Sequence, residues 1–253
     1  MSKPTFSKYA GYYDIIYKNK KYNKETKYIH KLINRFTKKK NLLDVGCGSG
    51  QHAKYFLKYN YKIVGIDKSK DMINVAKNKI KSKFVKFYKK DVINFGYKNR
   101  FDVAVSLFHV MSYVTKSKDF NKALKNINYS LKKGGIFAFD FWYTPAVQKL
   151  KLQKRTKTYD SNNLSITRKV DFGYLNKNIY KILIDLKIIR KKRKKVIFNE
   201  NFNEIHYVRS FNLTELSKKL NRFGFNIMNC YEWLKFNKPS NKCWSAVIIA
   251  QKK

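Results

Sequence analysis

A chain of 253 residues with 43% hydrophobic content can close a full core, as one large domain or as a domain with an appended lobe. No run of about 18 apolar residues occurs, which excludes a transmembrane helix, and Met1-Ser2-Lys3-Pro4-Thr5-Phe6 lacks the apolar centre of a signal peptide, so a cytoplasmic protein is expected. The formal net charge of +41 would ordinarily suggest nucleic acid or an anionic membrane. Lysine nevertheless far outnumbers arginine and is spread along the chain, beside abundant asparagine, isoleucine and tyrosine, which reads as compositional drift and leaves an attraction for anionic substrates.

In chain order, Tyr9, Tyr13, Ile16 and Tyr17 recur at helical spacing and predict an amphipathic helix within 6–17. It either docks on the domain or presents tyrosines to a ligand. A second helix is expected over 24–38, with Tyr28, Ile29, Leu32, Ile33 and Phe36 inward. Strands over 41–45, 62–66, 84–88, 101–107 and 136–141 then alternate with helices over 51–59, 71–81 (capped by Ser69) and 117–132, the last stopped by Lys133-Gly134-Gly135. This alternation predicts a parallel sheet covered on both faces. Beyond residue 150 the pattern changes. Residues 164–172, 178–190 and 195–209 predict a three-stranded antiparallel meander, with turns at Asn176-Lys177-Asn178 and 190–195. A helix begins at Asn212 or Thr214, and strands over 226–234 and 244–251 close the chain.

Leu42-Leu43-Asp44-Val45-Gly46-Cys47-Gly48-Ser49-Gly50 is an apolar strand ending in an acid, then three alternating glycines. Such a turn lets backbone approach a ligand. Ile63-Val64-Gly65-Ile66-Asp67 repeats the strand-then-acid pattern, 23 positions on, the length of one βαβ unit. Dinucleotide binding wants G-x-G-x-x-G, but Gln51 stands at the third glycine's place. Cys47, Cys230 and Cys243 lack metal-ligand spacing, no His/Asp/Glu cluster suggests a metal, and reduced thiols are expected.

The G-x-G-x-G spacing, with an acid two positions before the first glycine, resembles the first motif of the Rossmann-like S-adenosylmethionine (SAM)-dependent methyltransferases over about residues 6–141. The resemblance implies an α/β fold: a doubly wound, seven-stranded, mostly parallel sheet with an inserted antiparallel β-meander. The implied division is a SAM-binding core with N-terminal lid helices over 1–149, an insertion over the substrate site at 150–210, and a helix with the last two sheet strands at 211–253. It assigns Gly46 and Gly48 to the cofactor's amino-acid end, and Asp44 to orienting that turn and meeting the methionine ammonium through water. It assigns Asp67 to the ribose hydroxyls, Lys68 and Met72 to the faces of the adenine, and Asp91 and the Val92 N–H to its edge. Tyr17 and Leu107 complete the implied cofactor set. S-adenosylhomocysteine is the implied product.

Ser106-Leu107-Phe108-His109-Val110-Met111-Ser112-Tyr113 follows the strand where substrate binds in doubly wound sheets. It lacks the acid-or-Asn, Pro-Pro-aromatic pattern of enzymes that methylate base amino groups. His109 stands where a general base would help, against the bland alternative of a packed histidine. The pattern Tyr13-Asp14-x-x-Tyr17, the glycine turn and a meander after the fifth strand are similar to small-molecule methyltransferases, including those that dimethylate nucleotide-linked amino sugars. That similarity implies Tyr13 and Tyr113 facing an acceptor amine with His109 nearby, although those enzymes carry a histidine close to the position of Tyr113. Phe141-Trp142-Tyr143 would line the acceptor pocket or plug the base of the meander. Glu204, His206 and Arg209 are expected on one strand face, turned either to substrate or to solvent. The implied partner is a small, anionic or nucleotide-linked acceptor, with no membrane and with a homodimer allowed. An RNA or protein methyltransferase and a non-catalytic SAM-binding module are the competing readings.

Overall fold

The computed structural model describes residues 6, 8–150, 152–161, 163–176, 178–192 and 195–253. Residues 1–5 of the N-terminal reading, Ser7 of the first expected helix, and Lys177, Arg193 and Lys194 of the expected turns lie outside the described residues.

The first helix, α1 (Ala10–Ile16), starts later than its periodicity suggests because Phe6 sits at φ 63°, where no right-handed helix continues. Tyr9 and Ile16 are buried as expected, and Tyr17 closes the helix. Helix α2 (Tyr22–Ile33) buries Tyr28, Ile29, Leu32 and Ile33 against the sheet.

The α/β alternation follows as β1 (Asn41–Val45), α3 (Gln51–Phe56), β2 (Lys62–Asp67), α4 (Lys70–Lys79), β3 (Val85–Lys89), β4 (Phe101–Ser106), α5 (Ser117–Ser130) and β5 (Leu131–Tyr143). Ser69 caps α4 by accepting the Met72 N–H at 3.2 Å. Helix α5 ends before the glycine pair expected to stop it, because Leu131 already pairs with Phe101 in the sheet. A short helix not foreseen, α6 (Thr144–Lys149), has Pro145 in its first turn, where the fixed φ of proline suits it.

The antiparallel insertion holds four strands rather than three: β6 (Arg155–Ser161), β7 (Leu164–Asn176), β8 (Ile179–Lys192) and β9 (Lys195–Phe211). β6 is an edge strand exposed on nearly every residue, so its sequence carries no apolar alternation. Helix α7 (Leu213–Arg222) is capped by Asn212, whose Oδ1 accepts the Glu215 N–H at 2.8 Å, and β10 (Phe225–Glu232) and β11 (Ser245–Lys252) end the chain.

The strands run β3-β2-β1-β4-β5, all parallel. β11 lies antiparallel beside β5 and β10 antiparallel beside β11, which completes seven strands of which only β11 runs against the rest. One buried cluster lies on each face of this sheet. At its far end β5 also takes β9 in parallel, Trp142 opposite Ser210 and Tyr143 opposite Phe211. The sheet therefore forks there, and β9-β8-β7-β6 curls over the carboxyl ends of β1 and β4. A third cluster, holding Tyr9, Ile16, Trp142, Ile182, Ile184 and Val208, fills the space beneath the meander and the N-terminal helix.

Candidate active site

The carboxyl ends of β1, β2 and β4 open into a cavity of about 760 Å³, within the range of small-molecule sites. The glycine turn, the tip of β2 and the loop 90–93 form its floor, the segment after β4 forms one wall, and the inward face of the meander forms its ceiling.

The floor is built by local backbone chemistry. Gly46, Gly48 and Gly50 all take positive φ (72°, 52° and 76°). A Cβ on Gly46 would lie 2.3 Å from Val110 Cγ1, so the steric demand expected from a ligand comes here from the wall after β4. A Cβ on Gly48 would meet nothing within 4 Å, leaving its backbone bare toward the cavity. Asp67 accepts the Gly48 N–H on Oδ2 at 3.0 Å and the Ser69 N–H on Oδ1 at 2.8 Å. Burial raises its carboxyl above the ordinary value, against those two bonds. Each oxygen keeps lone pairs for a ligand. Asp44 lies behind the turn and does not line the cavity. It is 2% exposed, its Oδ2 has no hydrogen-bond partner among the described residues, and burial pushes its carboxyl up to about 6. A buried, unpaired carboxylate oxygen beneath a bare turn suits a cationic ligand group.

Lys68, Met72, Asp91, Val92 and Leu107 line the same cavity. Met72 and Leu107 are buried and Lys68 is exposed. Asp91 Oδ1 accepts the Ile93 N–H at 3.1 Å, so the turn role weighed for this acid is also present.

The wall after β4 is strained. Phe108 and His109 take successive positive φ values, 67° and 62°, a conformation that costs about 1–3 kcal/mol per non-glycine residue. The strain is held by Asp140, whose two oxygens accept the His109 N–H at 3.1 and 3.2 Å. His109 Nε2 lies 2.7 Å from Ser245 Oγ and 3.2 Å from Asp140 Oδ2. Burial lowers the His109 pKa despite Asp140, so the ring is neutral at pH 7. His109 lines the cavity with Nε2 already engaged, which fits a wall-setting role as well as a base.

Tyr113, in the 3₁₀ turn Val110–Tyr113, lines the cavity with its hydroxyl 3.1 Å from His206 Nδ1. Tyr13 and Tyr17 also line it, ring centroids 4.7 Å apart, and Tyr17 meets Phe108 edge-on at 5.2 Å. These tyrosines are anchored by Asp14, which accepts the Ser49 hydroxyl on Oδ1 and the Lys79 ammonium on Oδ2, each at 2.6 Å. Burial alone would raise the Asp14 carboxyl, but the Lys79 and Ser49 bonds outweigh it and hold the group below its usual value.

The ceiling corrects one expectation. Strand alternation turns Glu204 and His206 inward, but Arg209 is odd-numbered in the same strand and pairs outward with Glu215. Of the aromatics after the fifth strand, Trp142 lines the cavity, Phe141 is buried in the sheet core and Tyr143 packs beside it. The cavity also takes Arg168 from β7, whose sequence signal was only its even register with Ile166 and Val170.

Residues 42–135 match the family model described as a methyltransferase domain. The chain is 27% identical over 140 residues to the dTDP-3-amino-3,4,6-trideoxy-alpha-D-glucopyranose N,N-dimethyltransferase of Streptomyces venezuelae, covering 54% of this chain and 58% of that protein. It is 22% identical over 258 residues to the putative methyltransferase YqeM of Bacillus subtilis, covering 96% of each. Among solved structures, the SAM-dependent methyltransferase of Clostridium acetobutylicum superimposes with TM-score 0.78 at 22% identity, covering 98% of this chain and 99% of that one. DesVI of Streptomyces venezuelae superimposes with TM-score 0.80 at 18% identity, covering 97% and 98%. The chain spans a little over half the length of the first curated relatives it matches. Over residues 42–135 the chain is thus similar to a methyltransferase domain, and it has the Rossmann-like fold of these solved neighbours.

Proposed function

We propose that this protein is a SAM-dependent methyltransferase whose acceptor is a small-molecule amine, most concretely the amino group of a nucleotide-linked sugar. The observation that carries this is one cavity with two unlike halves: a floor of bare backbone and acids at strand tips, and a roof of aromatic and apolar side chains with two arginines, Arg155 and Arg168. The floor suits a ligand with a cationic end and a ribose. The roof suits a compact acceptor, since an open groove would be needed for a polymer. The names of several relatives, dTDP-amino-sugar N,N-dimethyltransferases, support the acceptor class.

SAM, when bound, supplies a methyl group already activated by its sulfonium charge. The chain's own residues then have to bind, align and exclude water. The orphaned Asp44 Oδ2 and the bare Gly48 backbone fit the methionine end. Asp67, fixed by two backbone N–H groups, offers its remaining lone pairs to the ribose. Lys68 and Met72 would flank the adenine, and Asp91 and Val92 would meet its edge. Tyr17 and Leu107 would border the sulfur end, Gly46 keeps the turn against Val110, and Tyr13, His109 and Tyr113 would surround the acceptor nitrogen. Arg168 under the roof suits a diphosphate.

The test is calorimetry with S-adenosylhomocysteine, followed by methyl transfer to dTDP-3-amino-3,4,6-trideoxy-α-D-glucopyranose and related amines. Micromolar binding with turnover of an amine is expected. Binding without turnover, alongside methylation of bulk RNA, would overturn the acceptor class. Absence of binding would overturn the donor.

A further inference from the structure

The inference rests on the methyl-transfer reading above and concerns the proton that an amine must lose. Three side chains from distant parts of the chain meet at the roof. Glu204 Oε2 accepts the Phe6 N–H at 2.9 Å and lies 3.0 Å from His206 Nε2, and His206 Nδ1 lies 3.1 Å from the Tyr113 hydroxyl. Tyr113 and His206 line the cavity, whereas Glu204 stands behind them, 9% exposed. A carboxylate only accepts hydrogen bonds, so the His206 proton sits on Nε2, and Nδ1 is left to accept from the Tyr113 hydroxyl. This orders the three groups in one direction, from cavity to interior.

Burial raises the Tyr113 phenol above its ordinary value, so Tyr113 does not act as a standing tyrosinate. It can take a proton only by passing its own inward in the same event. We infer that Tyr113, His206 and Glu204 form a proton relay that deprotonates the acceptor ammonium. The acceptor N–H bond breaks, and its electron pair stays on nitrogen as the lone pair of a neutral amine ready to accept a methyl group. That proton goes to Tyr113 Oη while the original Tyr113 proton goes to His206 Nδ1. The imidazolium so formed is held through Nε2–H by the Glu204 carboxylate and gives its proton to solvent when product leaves. Nothing is oxidised or reduced. Tyr113 is the catalytic residue of the three, and His206 and Glu204 are positioning residues acting through it.

The groups against His206 are Glu204 on its own strand, Tyr113 from the 3₁₀ turn, and the Phe6 and Tyr9 rings from the N-terminal segment, while Tyr17 and Arg168 from β7 act electrostatically on Tyr9 and Tyr113. Arg168 opposes an imidazolium, and Glu204 is the single carboxylate among these neighbours that offsets it. Losing the Glu204 charge should therefore act on the relay rather than on the fold.

Two measurements on the full chain decide the matter. In the ligand-free protein, nitrogen-15 NMR of the His206 ring is expected to show the Nε2–H tautomer, and Glu204→Gln is expected to mix the tautomers. An Nδ1–H ring in the unaltered protein overturns the relay whatever the enzyme turns over. In kinetics with dTDP-3-amino-3,4,6-trideoxy-α-D-glucopyranose, Glu204→Gln, His206→Gln and Tyr113→Phe are each expected to lower kcat by about 10²-fold near pH 7, with S-adenosylhomocysteine affinity within about twofold. The deficit should shrink as pH rises, because a growing fraction of the amine arrives already neutral. A deficit constant with pH, or one confined to KM, makes the three groups structural and overturns the relay. If the unaltered protein turns over neither this probe nor a related amine, the kinetic arm fails with the proposed acceptor class and the tautomer measurement alone decides the relay.

Discussion

The two halves of the cavity are made in different ways. The floor is made by backbone: glycines at positive φ, and a strand-tip acid that accepts N–H groups from residues close by. The roof is made by side chains that find partners across more than ninety positions, Tyr113 on His206 and Glu204 on the Phe6 N–H. A floor of this kind tolerates few substitutions, because its shape is set by backbone conformation at fixed positions. A roof of this kind can change its substrate by changing a few inward residues while the strand pairing stays intact.

That contrast can be broken in four ways, taken here from the largest effect to the smallest. Gly46→Ala places a Cβ 2.3 Å from Val110 at φ 72°, and should cost about 2–4 kcal/mol of stability and abolish SAM binding, seen by thermal melting and calorimetry. Unchanged melting would mean that the turn moves freely. Asp67→Ala removes the acceptor of two backbone N–H groups and of the proposed ribose contacts. A loss of SAM affinity of about 100-fold is expected from charge-assisted hydrogen bonds of roughly 1.5–3 kcal/mol each. Unchanged affinity would show that the cofactor lies in another register.

Asp44→Asn should separate stability from binding. The Asp44 pKa is raised to about 6 from 3.8. Its contribution to stability is therefore fully present below pH 4 and lost as pH rises through about 6, so the ligand-free protein carries a penalty near neutrality. Removing the charge should stabilise that state at pH 7–8 by on the order of 2–3 kcal/mol while lowering SAM affinity about tenfold. A lower melting temperature at pH 8 would contradict the burial argument. Asp14→Asn is the mildest, since Asp14 ties the N-terminal helix to both Ser49 and Lys79. With its folded pKa lowered, Asp14 stabilises the protein above its ordinary pKa, and that contribution is lost as pH falls below about 4. The expected cost at pH 7 is under about 1 kcal/mol, with a several-fold rise in KM for donor and acceptor alike. A rise for one ligand only would assign the helix to one half of the cavity.

Much of the floor was legible because its chemistry is local. Asp44, Gly46, Gly48, Asp67, Lys68, Met72 and Asp91 lie within one stretch of the chain, where a glycine spacing and two strand-end acids mark a recurring turn. The roof left weaker marks. Glu204 and His206 show as a polar alternation in β9, but Arg209 breaks the period of two and lies on the outward face. Arg168 had no signal beyond its parity, and β6 had none, since an edge strand open to water on both sides needs no apolar pattern.

The sequence by itself determined the α/β alternation, the antiparallel tail and the ligand turn, because helix and strand periods and glycine conformations are properties of short segments. Only the tertiary structure decided that β5 forks to take both β11 and β9, that the meander thereby roofs the turn, and that Tyr113 meets His206. Those outcomes depend on which strands pair across long loops. Register is settled by burying one face of every strand at once, a condition no short segment carries.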